Sequence, residues 1–126
     1  MDAAVIKRIA LAALAFGVAF AAHAGSNKWR LQVSGGAEAG GTIAFTIALD
    51  DGQRLPVSAE IAEGTGENAI AKKLRDAVRA QAGACCHAEV DDGEDVLVKK
   101  KRGQPALDIV DIQIGVQGVR ITRDRE

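Results

Sequence analysis

A chain of 126 residues with 48% hydrophobic and 26% charged positions accommodates one modest core and excludes a multidomain enzyme. Its 16 Lys and Arg against 17 Asp and Glu give a net charge of −1, which excludes the strongly basic footprint of a nucleic-acid binder. The first element is a predicted signal peptide over residues 1–24. Lys7 and Arg8 precede an uncharged run, Ile9 to Ala22, and small residues at Ala22 and Ala24 frame a cleavage site before Gly25. Fourteen helical residues would span only about 21 Å, short of a bilayer core of about 30 Å, so a secretory leader fits better than an anchor. Removing Lys7, Arg8 and Asp2 leaves 14 basic against 16 acidic residues, a net charge of −2, in a single domain over residues 25–126. The expected location is therefore periplasmic or secreted, with no membrane span after cleavage.

Trp29, Leu31 and Val33 alternate with Arg30, Gln32 and Ser34, the period-two signature of a half-buried strand. The glycine-rich stretch Ser34 to Gly41 reads as a mobile loop. It lies between strands instead of opening a helix, so a phosphate cradle would have no dipole behind it. Ile43, Phe45, Ile47 and Leu49 mark the clearest strand. Asp50-Asp51-Gly52 supplies a tight turn, and Leu55, Val57, Ala59 and Ile61 return. Pro56 lacks an N–H and belongs on an edge strand or at a bulge.

After Gly64 the period changes. Ile70, Leu74, Ala77 and Val78 share one face of a helix over Glu67 to Ala82, with Lys72, Lys73, Arg75, Asp76 and Arg79 on the other. Thr65 or Asn68 could cap its start, and Gly83 suits its end. Cys86, Ala88 and Val90 begin another strand, Asp91-Asp92-Gly93 turns it, and Val96 to Lys100 returns. A further turn at Arg102 to Pro105 leads to Leu107 and Ile109. The phase shift between Ile109 and Ile112 requires a bulge or bend, and Gly118 marks a second shift before Val119 and Ile121.

These elements predict an α+β domain, an antiparallel sheet of about five to seven strands with one amphipathic helix around a ββαββ core. The expected core is Phe45, Ile47, Leu49, Val57, Ile61, Ile70, Leu74, Val78, Val90, Leu97, Ile112 and Ile114. The stretch from Thr42 to Ile114, with its hairpin, glycine-bearing link, helix and strands ending in Val90-Asp91-Asp92-Gly93 and returning as Val96-Leu97-Val98, resembles the small ββαββ inserts of bacterial flagellin and hook-associated proteins and similar modules on phage tails. That resemblance implies a surface-displayed, non-catalytic module and carries no family active site.

Three clusters carry candidate chemistry. Cys85, His87 and Glu89 would point to one side of a straight strand, and a thiolate, an imidazole and a carboxylate suit zinc or copper. No second cluster offers a fourth ligand, so surface residues on a half-exposed strand are the competing account. Cys85 and Cys86 are adjacent and cannot staple distant parts of the fold; a buried thiol beside a surface one is expected. Lys99, Lys100, Lys101 and Arg102 form a basic run able to hold an anionic partner, set against a lysine-protected strand edge. There is no aromatic nearby to stack a base. Asp91, Asp92, Glu94 and Asp95 lack the alternating oxygens of a calcium loop and read as turn chemistry.

His87 is the one histidine left after residue 24 and there is no tyrosine, so a catalytic set is hard to assemble. The functional expectation is an exported, non-catalytic binding or structural module with a protein or polysaccharide partner in the bacterial envelope and no nucleic acid. The alternative is a small periplasmic metal-binding protein using Cys85 and His87; otherwise no cofactor is expected. Self-association is expected through the edges of the Trp29 to Val33 and Val119 to Thr122 strands or through a Cys85 bridge, set against a monomer protected by Pro56, Lys99 and Arg123.

Overall fold

The computed structural model describes residues 25–126; the predicted leader over residues 1–24 lies outside the described residues. The described chain runs β1 (Lys28–Gly35), β2 (Gly41–Leu49), β3 (Arg54–Ile61), α1 (Glu67–Gln81), β4 (Cys86–Asp91), β5 (Asp95–Lys100), β6 (Leu107–Ile114) and β7 (Val119–Arg125). The fold is α+β, but its strands form two antiparallel sheets, ordered β4-β5-β1-β7 and β3-β2-β6. This corrects the expected ββαββ core. The hairpins on either side of the helix exist, but β2–β3 belongs to one sheet and β4–β5 to the other. Local alternation specifies each hairpin, whereas sheet membership is decided by pairing between residues far apart in sequence, which local periodicity does not encode.

β1 is a central strand and not an edge. Leu31 sits opposite both Val96 of β5 and Arg123 of β7, and Trp29, Leu31 and Val33 are all buried. The core lies between the sheets and under α1, whose apolar stripe of Ile70, Ala71, Leu74, Ala77 and Val78 is buried. The helix packs chiefly on β3 of one sheet and β4 of the other, so it spans the open side between them. Each fully buried Leu, Ile or Val contributes about 1.5–3 kcal/mol through removal from water.

The core differs from expectation in three ways. Val90, Ile112 and Ile114 are only partly buried, because Val90 approaches a turn and Ile112 and Ile114 follow the break in β6. Leu97 is buried but outside the main cluster; it lies opposite Arg30 and Glu89, on the outer face, while Val96 and Val98 fill the core side. Leu31, Ile43, Leu107 and Ile109 are fully enclosed members that the expected set omitted.

The predicted break in β6 is a bulge. Ala44 and Gln113 pair, then Thr46 and Val110, so β6 carries one extra residue there. Asp111 takes up the distortion with a φ of 55°. The glycine-rich stretch Ser34 to Gly41 is pinned, contrary to the mobile loop expected of it. The Ala37 N–H donates to the Thr65 carbonyl, the Gly64 N–H donates to the Ala37 carbonyl and the Glu38 N–H donates to the Gln117 carbonyl. The helix cap also differs: Gly66 occupies the N-cap with no side-chain bond, because the Thr65 hydroxyl donates to the Ala62 carbonyl instead. Among the described residues no helix is long and apolar enough to cross a membrane.

Candidate functional site

α1 ends beside the free edge of β4, and the junction leaves an open depression of about 490 Å³. Arg79 comes from the last turn of the helix, Cys86, His87 and Glu89 from β4, Lys99 from β5 and Lys101 from the loop that follows. Arg79 is set by a hydrogen bond from its Nε to the Ala88 carbonyl at 3.0 Å. That carbonyl points out of the sheet at the unpaired edge of β4, so one bond both satisfies it and fixes the guanidinium at the rim. His87 and Lys99 are directly opposed across β4 and β5 and share the outer face. Lys101 is held at its backbone, where its N–H donates to the Cys85 carbonyl at 2.8 Å.

Arg79, Lys99 and Lys101 have no ion-pair partner among the described residues, and Glu89 is the single carboxylate in the wall. Three cations against one anion make this a locally positive surface on a chain of net negative charge. A second depression, of about 460 Å³, lies on the outer face of β3-β2-β6 and is lined by neutral polar side chains such as Thr46, Ser58, Gln81 and Gln113, with Asp111 at its side.

The predicted basic run is divided by the fold. Lys99 and Lys101 face the depression, whereas the Lys100 Nζ donates to the Gln104 carbonyl at 3.0 Å, inside the following turn. Arg102 is exposed at that turn and does not line the depression. Strand alternation separates Lys99 from Lys100, and the end of β5 lets Lys101 swing back. Arg79 replaces the two lost members. The sequence assigned it to the solvent side of the helix, and the available signal was its place in the last turn, where a cation near backbone carbonyls is favoured.

The predicted metal set does not assemble. Cys85 and Cys86 are bonded to each other as a disulfide, and both are 2% exposed. Cys85 precedes β4 in a turn and is enclosed, so it does not join His87 and Glu89 on the outer face. No group of three His, Cys, Asp or Glu side chains is placed to hold a metal ion among the described residues. The expected pairing of one buried and one surface thiol is also corrected, since no free cysteine is found among the described residues. A bridge between two chains through Cys85 has neither a free thiol nor an exposed one to start from.

Trp29 was expected to lie near an exposed edge. It is 5% exposed, its Nε1 donates to the Leu107 carbonyl at 2.7 Å, and the guanidinium carbons of Arg123 and Arg125 lie 4.8 and 5.4 Å from its ring centre. Two arginines from β7 therefore cover the ring that a core poor in aromatics leaves at its border. Arg123 also donates from Nη1 to the Ile109 carbonyl and to Asp108 Oδ1, tying β7 to β6 where the two sheets meet.

On the far side of the outer face, Arg30 gathers three carboxylates: Asp95 at 2.5 Å, Asp91 at 3.2 Å and Glu126 at 3.1 Å. Glu126 and Asp95 hold the guanidinium firmly protonated, and Arg30 in turn keeps the Glu126 carboxyl below its ordinary value. This cluster is structural, a cation satisfied by its neighbours. The chain matches no protein-family model, and comparison with curated proteins finds no relative.

Proposed function

We propose that this protein is an exported, non-catalytic binding module that uses the depression between α1 and β4 to hold an anionic group on a protein or polysaccharide of the bacterial envelope. The supporting observation is the convergence of Arg79, Lys99 and Lys101 from three separate elements, without carboxylate partners beyond Glu89 in the wall. Phosphate, sulfate and carboxylate groups are the chemistry such a surface recognises, Arg79 by its planar donors and the lysines as point charges. Cys86, which borders the same wall, is bonded in the disulfide and presents no free thiol there. The resemblance to flagellin-type inserts lends the idea of surface display, while the two-sheet topology departs from their module shape.

The test is titration calorimetry with inorganic pyrophosphate and with a sulfated polysaccharide at low and high salt. Binding should weaken as salt rises. The Arg79→Gln and Lys99→Gln double substitution should weaken it by about tenfold or more, the scale of losing one or two charge-assisted hydrogen bonds of about 1.5–3 kcal/mol each. Lys72→Gln, on the exposed helix face, should leave it unchanged. Absence of binding by either probe at low salt, or equal loss in the Lys72→Gln control, would overturn the reading.

A further inference from the structure

The described chain starts by crossing between the two sheets. Ser26 bridges to Leu107 of β6, its N–H donating to the Leu107 carbonyl at 2.8 Å and its carbonyl accepting from the Leu107 N–H at 2.9 Å. One residue later the Asn27 carbonyl accepts the Lys100 N–H at 2.9 Å, in the other sheet. The Leu107 carbonyl also takes the Trp29 indole, so residues 26–29 are fastened at both ends of a short span. Gly25 lies flat on the same backbone: a Cβ there would stand 2.5 Å from the Leu107 oxygen and 2.7 Å from its carbon, which no side chain tolerates. Its nitrogen donates to Asp50 Oδ1 at 3.0 Å, and Asp50 is itself placed by its own N–H, which donates to the Ala106 carbonyl at 3.0 Å.

An amide at this place offers Asp50 one neutral donor. The sequence predicts that the bond between Ala24 and Gly25 is hydrolysed on export, and water adds across that bond to leave an alanine carboxylate on the leader and an α-ammonium on Gly25. The nitrogen that faces Asp50 would then carry a positive charge. We propose that leader removal between Ala24 and Gly25 creates a charged clasp, the Gly25 α-ammonium on the Asp50 carboxylate, that locks the seam between the two sheets in the mature chain only.

The leader-bearing chain has the same residues but a neutral donor, so the clasp is a product of processing. A cut one residue earlier would leave Ala24 carrying the charge, one residue away from the nitrogen that Asp50 faces. A cut one residue later would remove the donor and leave the charge on Ser26, inside the bridge to Leu107. The inference is independent of the anionic-ligand reading, because Gly25 and Asp50 do not line the depression.

The full chain is produced through an export route and the recovered protein weighed by mass spectrometry; the expected start is Gly25. The seven described strands, the helix and the core cluster lie within residues 25–126, so chains beginning at Gly25 or Ala24 can then be compared by urea denaturation, each with Asp50 and with Asp50→Asn. The Gly25 start should raise the folding equilibrium constant by about 1.5- to 5-fold over the Ala24 start, the range of an exposed ion pair. That advantage should disappear in the Asp50→Asn background and shrink in high salt. A recovered chain starting elsewhere, equal stability of the two starts, or an advantage that survives Asp50→Asn would each overturn the proposal.

Discussion

At the scale of single residues, Arg30 joins three carboxylates through a guanidinium that is only partly exposed. Its guanidinium reaches Asp95, which is 6% exposed, while one oxygen of that carboxylate, Oδ1, is buried without a hydrogen-bond partner among the described residues. Taking the guanidinium away would leave a buried anion uncompensated, which costs more than the pair itself contributes. Glu126 is lowered by the hydrogen bond from Arg30. A carboxylate lowered by folding stabilises the protein fully above its unfolded value, near 4.3 as an order of magnitude for Glu, about 3.9 for Asp, and loses that contribution as pH falls through the folded value. Asp51 and Asp76 are lowered as well, by the backbone N–H of Gln53 and by Arg75 respectively. Thermal denaturation should therefore show a loss of stability beginning below about pH 4.5. In Arg30→Gln the melting temperature should be lower at neutral pH, and the two curves should draw together in acid as the carboxylates take up protons. Parallel curves down to about pH 2 would show that the Arg30 pairs contribute nothing to the acid transition.

At the scale of elements, α1 has no side-chain bond at its N-cap. Its buried stripe is supplemented at the two ends, where Glu67 accepts from the Gly35 N–H, Gln81 exchanges two bonds with the Ser58 backbone and Arg79 donates to the Ala88 carbonyl. Leu74 is fully enclosed, and Leu74→Ala should cost roughly 2–5 kcal/mol, read as a lowered urea midpoint with little change in slope. A loss below about 1 kcal/mol would mean that the helix collapses onto the gap or is not bound as described. The helix, the hairpin turns at Asp50 to Gly52 and Asp91 to Gly93, and the bulge before Ile112 were all legible in the sequence, because period, turn chemistry and phase are local signals. What was not legible was which elements meet. Trp29 alternates as any half-buried edge residue would, and only the pairing of β1 between β5 and β7 encloses it. Leu97 is an apolar residue between two valines, and nothing local says which of the three turns outward. At the site the same limit applied: Lys99 and Lys101 could be named from composition, whereas Arg79 could join them only once the helix end was placed against β4.

On the scale of the whole molecule, two sheets share one core, touch where β6 meets β7 and are spanned on the other side by α1. Local sequence gave no hint of this division, because every strand in both sheets reads as part of one antiparallel meander. The arrangement puts the two ends of the described chain side by side: Trp29 is opposite Arg125, and the Glu126 N–H donates to the Lys28 carbonyl at 3.0 Å. β7 is bonded to β1 on one edge only. The consequence is mechanical. A pull applied at residues 25 and 126 loads the β1–β7 ladder as a zipper, in which the bonds from Glu126 and Arg125 bear the force first and give way one after another, with no row of bonds sheared together. Optical-tweezer traces should accordingly show β7 peeling away at low force before the rest of the fold yields, uncovering Trp29 as Arg123 and Arg125 depart. A single unfolding event with no earlier release of β7 would contradict the zipper.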